Sequence, residues 1–445
     1  MEFSLAQVQQ ATGAILEPAA AAQVTGWSID SRTVAPGDLF FALRGDRMDG
    51  HAFVSDVLAR GAVAAVVSEP VNAAPALRVA DTLQALQQLA HWARNHWGRP
   101  IVAVTGSAGK TSTKDIIAAL LSVRLPVGRT YGNFNNHIGL PLSVLRIPDN
   151  AQVAVLEMGM NHAGEIRDLC VIAPPQIAVV TNVGYAHVEN FDSIEGVAAA
   201  KRELVESLPA DGTAILNADD ERVAAFASAH AGRTLTYGLS PNATIRACDV
   251  ELNPEGAVFS VAGVLFKTQL TGIHAVRNIL AGIAVSSLFD ITPGELVSAV
   301  AGLTPGKMRG ERQLWQGITI LNDSYNSNPE AARNMLDVLS RESGARRIAV
   351  LGEMRELGAM SPKLHRELGS YAEQKGIDLL IGIHGDARLM AEQAKNSRFF
   401  ETPEAAGDFL QTFVRPGDVI LFKGSRGTQV EGALARMQAQ NGSVS

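Results

Sequence analysis

Lys110 and Thr111, preceded by Gly106, Ser107, Ala108 and Gly109 and followed by Ser112, are the residues of this chain whose types and spacing most plainly suggest chemistry. Side chains this small let loop N–H groups approach an anion, while a lysine bridges phosphate oxygens and the next hydroxyl reaches a magnesium ion. The pattern is a shortened one. The usual eight-residue phosphate loop asks for glycine where Val104 stands, so only Gly106-x-x-Gly109-Lys110-Thr111 is kept. The chemistry it points to is binding of ATP; the plainer alternative is a tight turn with a surface lysine.

Such a cradle needs a strand before it and a helix after it. The β-branched run Ile101 to Val104 reads as a buried parallel strand, and Lys110 to Leu121 as a helix whose positive end faces the loop. Further buried strands end in polar residues: Val153–Leu156 at Glu157, Ile177–Val180 at Thr181 and Asn182 before Gly184 and His187, and Thr213–Leu216 at Asn217. In a parallel sheet these ends converge beside the cradle. Glu157 is then the natural carboxylate partner of a magnesium ion held by Thr111, against the bland reading of a helix-capping carboxylate. His187 could meet metal or phosphate there, or be a structural histidine. Lys201, on an amphipathic helix spanning 196–208, reads by pattern alone as a solvated lysine.

At 445 residues the chain exceeds one core, and about 150 residues per domain suggests three. The expected divisions are 1–98, 99–305 and 306–445, an α/β protein in which a small α+β module precedes a mononucleotide-binding domain with a mostly parallel sheet and a Rossmann-like domain. In the first, Ser31, Arg32, Gly50 and His51 lie in turns flanking the short strand Leu39–Leu43. In the last, strands run into the polar stretch Asn322 to Asn328, into Gly352–Gly358, into His384–Asp386 and into Lys423–Gly427. Asn328 fits an N-cap and Pro329 the first helical position. Lys423 and Arg426, on glycine-flanked backbone, suit an anion. No GxGxxG fingerprint accompanies these strands, which disfavours NAD.

A formal charge of −7 without basic runs argues against nucleic-acid or anionic-membrane partners. The two cysteines, Cys170 and Cys248, have no metal or disulfide spacing and read as free thiols. With no signal-like start and no apolar run of about 18 residues, a cytoplasmic protein is expected, so the Asn242 and Asn441 sequons carry no meaning.

Over nearly its whole length the sequence resembles the bacterial Mur ligases. The resemblance rests on Thr105–Thr111, the block Tyr131–Pro141 with Asn135 and Asn136, Leu156–Met160, Asn322–Pro329, Leu351–Gly358 and Lys423–Gly427. Within the family these blocks are most similar to those of the member that adds D-alanyl-D-alanine to a UDP-N-acetylmuramoyl-tripeptide. A monomer is expected, and the resemblance implies a ligase that uses ATP and two magnesium ions. Lys110 and Thr111 would hold phosphates and the first ion, completed by Glu157. His187 would serve the second, with Lys201 as a carbamate. Asn278, Arg309, Asp323, Tyr325 and Asn326 would contact the nucleotide. Asn135 and Asn136 would face the muramoyl substrate, and Ser31, Arg32, Gly50 and His51 its uridine-nucleotide end. Ser327 departs from the family, where alanine is common.

The reaction so implied activates a peptide carboxylate as an acyl phosphate, which the dipeptide amine then attacks. Positioning, charge neutralisation and exclusion of water by domain closure are what the protein must supply. Folylpolyglutamate synthesis is a rival with a similar loop but no equivalent of residues 1–98; an ATP-hydrolysing switch is a rival of another class.

Overall fold

The computed structural model describes residues 1–17, 21–45 and 47–439; Asp46 and the Asn441 sequon lie outside the described residues. Three large sheets follow one another along the chain. The first has five strands, ordered Ile15–Glu17, Ala76–Arg78, Ala64–Val67, Asp38–Phe41 and Gly26–Ser28, parallel except at the Ile15 edge. The second has seven parallel strands, ordered Ile245–Arg246, Arg233–Gly238, Thr213–Asn217, Ile177–Val180, Ile101–Thr105, Val153–Glu157 and Val127–Arg129. The third has six, ordered Glu311–Trp315, Ile318–Asn322, Asp418–Lys423, Arg346–Gly352, Leu379–Ile383 and Ser397–Phe400, antiparallel only at its first pair.

Alternation of side chains explains why the middle sheet is covered on both sides. Val102, Val104, Val155 and Val179 point to one layer, with Ile116, Leu120, Ile279 and Ile283 from helices Lys110–Leu121 and Ile273–Ser287. Ile101, Ala103, Leu156 and Val180 point to the other, with Leu142 and Leu145 of helix Gly139–Leu145. That second layer belongs to one apolar cluster reaching from Trp27 in the first unit to Leu336 and Leu421 in the third.

Helix Thr82–Trp97 lies between the first two units. It is capped by Asp81 and ends at Gly98, which is left-handed at φ 65°. Its Arg94 guanidinium donates to Pro174 O (3.1 Å) and Gln176 Oε1 (3.0 Å), and Trp97 Nε1 donates to Ala151 O (3.2 Å). From the first unit, Trp27 O accepts from Arg146 Nη2 at 2.9 Å. A three-stranded antiparallel sheet, Cys248–Asn253, Gly256–Val261 and Val264–Thr268, joins the core through stacked Phe259 and Phe266.

The chain reverses its strand order next to Ile101–Thr105. Its successors on one side are Val153–Glu157 and Val127–Arg129, and on the other Ile177–Val180. This switch point leaves a crevice at the strand C-termini, and the shortened phosphate loop opens there.

Candidate active site at the strand ends

The loop after Ile101–Thr105 is braced before any ligand is considered. Gly106 has φ 148°, and a Cβ there would lie 1.9 Å from Thr181 Oγ1, so only glycine fits. Asn182 Oδ1 accepts from Ala108 N (2.8 Å) while its Nδ2 donates to Ala108 O (3.0 Å), and Ser107 N donates to Asn182 O (3.0 Å). Ser107 Oγ donates to Gly184 O and accepts from Gly184 N. The amides of Ser107 and Ala108, expected from sequence to face phosphate, are therefore engaged within the protein. The free donors sit one step further on. Gly109 caps helix Lys110–Leu121 in left-handed backbone (φ 80°) without a side-chain cap. The amides of Gly109, Lys110, Thr111 and Ser112 make no hydrogen bond among the described residues.

Lys110 Nζ donates to Gly106 O at 2.8 Å, folded back over the loop. Burial pushes its pKa down, Glu157 opposes the shift, Arg309 adds to it and Glu356 opposes it. Thus charges from three separate segments surround this ammonium. Thr111 Oγ1 donates to Glu157 Oε2 (2.8 Å), and Asn135 Nδ2 donates to Glu157 Oε1 (2.7 Å). Parallel register sets Glu157 beside Val104 and so beside the cradle. Asn278 stands over Gly109, whose Cβ would be 3.1 Å from its Oδ1.

Lys201 does not face solvent as its helical pattern suggests: on helix Ile194–Glu206 it is 1% exposed. Burial drives its pKa well below the ordinary lysine value, and Lys110 pushes the same way against Glu330. Burial thus favours the uncharged amine, which is the nucleophilic form. His187, left-handed at φ 64°, begins the turn after Ile177–Val180. Its Nδ1 lies 2.6 Å from Glu356 Oε2.

The third unit meets this crevice directly. Asn328 Oδ1 caps helix Pro329–Arg341 by accepting from Ala331 N, while its Nδ2 donates to Ser107 O (3.1 Å). Glu330 Oε1 accepts from Tyr185 N (3.1 Å), its other oxygen is buried without a partner, and burial raises its pKa. Arg309 stacks 3.9 Å over the Tyr325 ring. Glu330, Glu356 and Asn182 received no role from sequence. A glutamate in a helix's first turn reads as a dipole partner, and nothing local says which loop it will enter.

Four of the expected site residues are already engaged within the protein. Lys423 is not a free cation: it is 2% exposed, with Nζ donating to Asp323 Oδ2 (2.5 Å) and Asn326 O (2.9 Å), because parallel pairing of Asn322 with Phe422 sets the two segments side by side. Asp323 is correspondingly committed to that buried pair. Both ring nitrogens of His51 are engaged: its Nε2 accepts from Ser68 N (2.9 Å), so its Nδ1 carries the proton toward Asp49 Oδ1 (2.6 Å). Asn136 Oδ1 accepts from Gly139 N and Ile138 N, which caps the following helix. The other residues remain open to a ligand to different degrees. Gly50 packs against Ala42 backbone, Ser31 O accepts from Arg60 Nη1, and Arg32 is an exposed partner of Asp30. Arg426 is exposed and paired with Glu431, its N donating to Asn326 Oδ1 at 3.4 Å.

Comparison with known proteins bears on the fold and the family. The family models described as "Mur ligase middle domain", "Mur ligase, glutamate ligase domain" and "Mur ligase family, catalytic domain" match residues 104–286, 308–426 and 23–130. The UDP-N-acetylmuramoyl-tripeptide–D-alanyl-D-alanine ligase of Bacillus subtilis (strain 168) is 37% identical over 425 residues, covering 92% of each chain. The chain belongs to the Mur ligase family. Like other Mur ligases it has three domains. A crystal structure of MurF from Acinetobacter baumannii superposes with a TM-score of 0.91 at 31% identity, covering 98% of each chain. MurF ligase from Thermotoga maritima in complex with ADP does so with 0.83 at 30% identity, covering 93% of this Mur ligase and 97% of that chain.

No helix among the described residues is long and apolar enough to cross a membrane. Nor do three or more His, Cys, Asp or Glu side chains gather as a metal cage among them. Cys170 and Cys248 are free thiols, and burial pushes Cys170 up to about 12.

Proposed function

We propose that this chain is an ATP-dependent amide ligase that joins D-alanyl-D-alanine to a UDP-N-acetylmuramoyl-tripeptide in peptidoglycan precursor synthesis, acting as a monomer in the cytoplasm. The observation that carries the reading is the crevice itself. A helix N-terminus with four free amides and a lysine is overlain by side chains of the third unit, in a chain similar to ligases of that name. In this reading residues 1–98 hold the UDP-muramoyl end through Ser31, Arg32 and the Gly50 turn, residues 99–305 hold ATP, and residues 306–445 close over it.

Within ATP's site, Gly109 to Ser112 supply backbone donors to phosphate oxygens, shaped by Gly106, Ser107 and Ala108. Lys110 leaves the Gly106 carbonyl to bridge them. Asn278, Arg309, Tyr325 and Asn326 surround the remainder of the nucleotide, and Lys423 keeps Asp323 in place behind them. Asn135, fixed on Glu157, and Asn136, through the loop it caps, border the muramoyl substrate. Arg426 offers a cation at the opposite rim.

Hard oxygen donors few in number, as at Thr111 Oγ1 and Glu157, fit magnesium, which takes one or two protein ligands and completes its shell with phosphates and water. Thr111 and Glu157 would hold one such ion, and His187 with Lys201 as a carbamate a second. Bound there, magnesium supplies neutralisation of charge on the transferring phosphoryl group. The substrate carboxylate, as an acyl phosphate, then meets the dipeptide amine in a site from which the closed third domain excludes water.

Phosphate release by the purified enzyme tests this. It should require ATP, the UDP-muramoyl-tripeptide and D-alanyl-D-alanine together, and Lys110→Ala should abolish it. Release without either acceptor would mark an ATP-hydrolysing switch instead, and normal turnover of Lys110→Ala would remove the cradle from the mechanism.

A further inference from the structure

His187 and Glu356 come from different domains, yet each adopts left-handed backbone, at φ 64° in both cases, where they meet. Such a conformation is uncommon outside glycine. Beside them Glu189 N donates to Glu356 O at 3.2 Å, and Gly358 lies so close to Glu189 that a Cβ would fall 2.9 Å from the Glu189 Cβ. Backbone of the third domain is thereby seated on the turn that carries His187. The imidazole Nδ1 is buried, and Glu356 Oε2, 2.6 Å away, is the one carboxylate oxygen paired with it among the described residues.

From this we infer that Glu356 is a positioning residue that completes a carboxylate–imidazole–cation relay across the domain interface, so that one divalent cation binds fully only when the third domain is seated. The inference rests on the ligase reading above. A carboxylate at Nδ1 draws the imidazole proton to that nitrogen, which leaves the Nε2 lone pair for a cation and sets the ring's orientation. An imidazole whose orienting partner belongs to the same domain would be ready at all times. Here the partner is supplied in trans by the loop that follows Arg346–Gly352, so opening the interface withdraws it.

The test uses the full chain with a non-hydrolysable ATP analogue, counting manganese(II) by electron paramagnetic resonance. The unsubstituted protein should bind two manganese ions. Glu356→Ala should weaken one class by about 10- to 100-fold, the range for loss of a partner behind a metal-ligating histidine, and leave the other unchanged. Glu356→Gln, whose amide oxygen can still accept from Nδ1, should fall between them. His187→Ala should weaken the same class, and the double variant should lose little more than the worse single one. Unchanged affinities in both Glu356 variants, equal loss of both classes, a single class in the unsubstituted protein, or additive losses would each overturn the relay. Failure of the unsubstituted protein to bind the ATP analogue at all would instead overturn the ligase reading, so the two failures are distinct.

Discussion

Lys201 shows how far burial can change what a side chain is for. On a solvent-facing helix position its ammonium would be inert. At 1% exposure, with Lys110 nearby, burial disfavours the charged amine, and it is the uncharged form that adds carbon dioxide in the proposed carbamate. Lys201→Ala should reduce ligation by about 10²-fold, the scale of a misplaced reacting group. Added bicarbonate should not repair it, whereas short-chain carboxylates should partly restore it; unchanged turnover would remove the carbamate. The same shift of meaning ran in reverse for Lys423 and His51. Glycine-flanked Lys423 looked available to an anion because its partner, Asp323, lies a hundred residues away and becomes a neighbour only through strand pairing. Nor does the spacing around His51 disclose its partner Ser68.

Elements were more readable than their partners. The runs Ile101–Thr105 and Ile177–Val180, the helix opening at Lys110 and the Asn328–Pro329 start all follow from apolar periodicity and capping chemistry, which are local. What was not legible is the antiparallel sheet 248–268, whose strand Cys248–Asn253 alternates half-buried and exposed positions too weakly apolar to announce a core. Helix Ile273–Ser287 also hides a titrating group. His274, in its first turn, is driven by burial from 6.5 to about 4. The folded chain refuses a proton that the unfolded chain accepts. Stability from this group is thus fully present above pH 6.5 and is lost as pH falls toward 4. Urea midpoints measured across that window should decline for the unsubstituted protein and decline less for His274→Asn; parallel curves would exclude the assignment.

At the scale of the whole molecule, the proposed ligase reading makes function depend on how the third unit sits on the second. Gly184 is a close point of that seating, since a Cβ there would lie 2.2 Å from Glu330 Cδ. Gly184→Val should therefore hold the domains apart and lower turnover by about 10²-fold or more, with circular dichroism unchanged. Full activity would mean that Glu330 simply swings away. One more consequence follows from the way Asn182 grips both the N–H and the C=O of Ala108. In deuterated water the Ala108 amide should keep its hydrogen whether or not nucleotide is present. The amides from Lys110 to Ser112, without partners, should trade theirs quickly until a triphosphate arrives and then slow sharply. Amides two residues apart on the same backbone would keep different clocks, and only the later one would report occupancy.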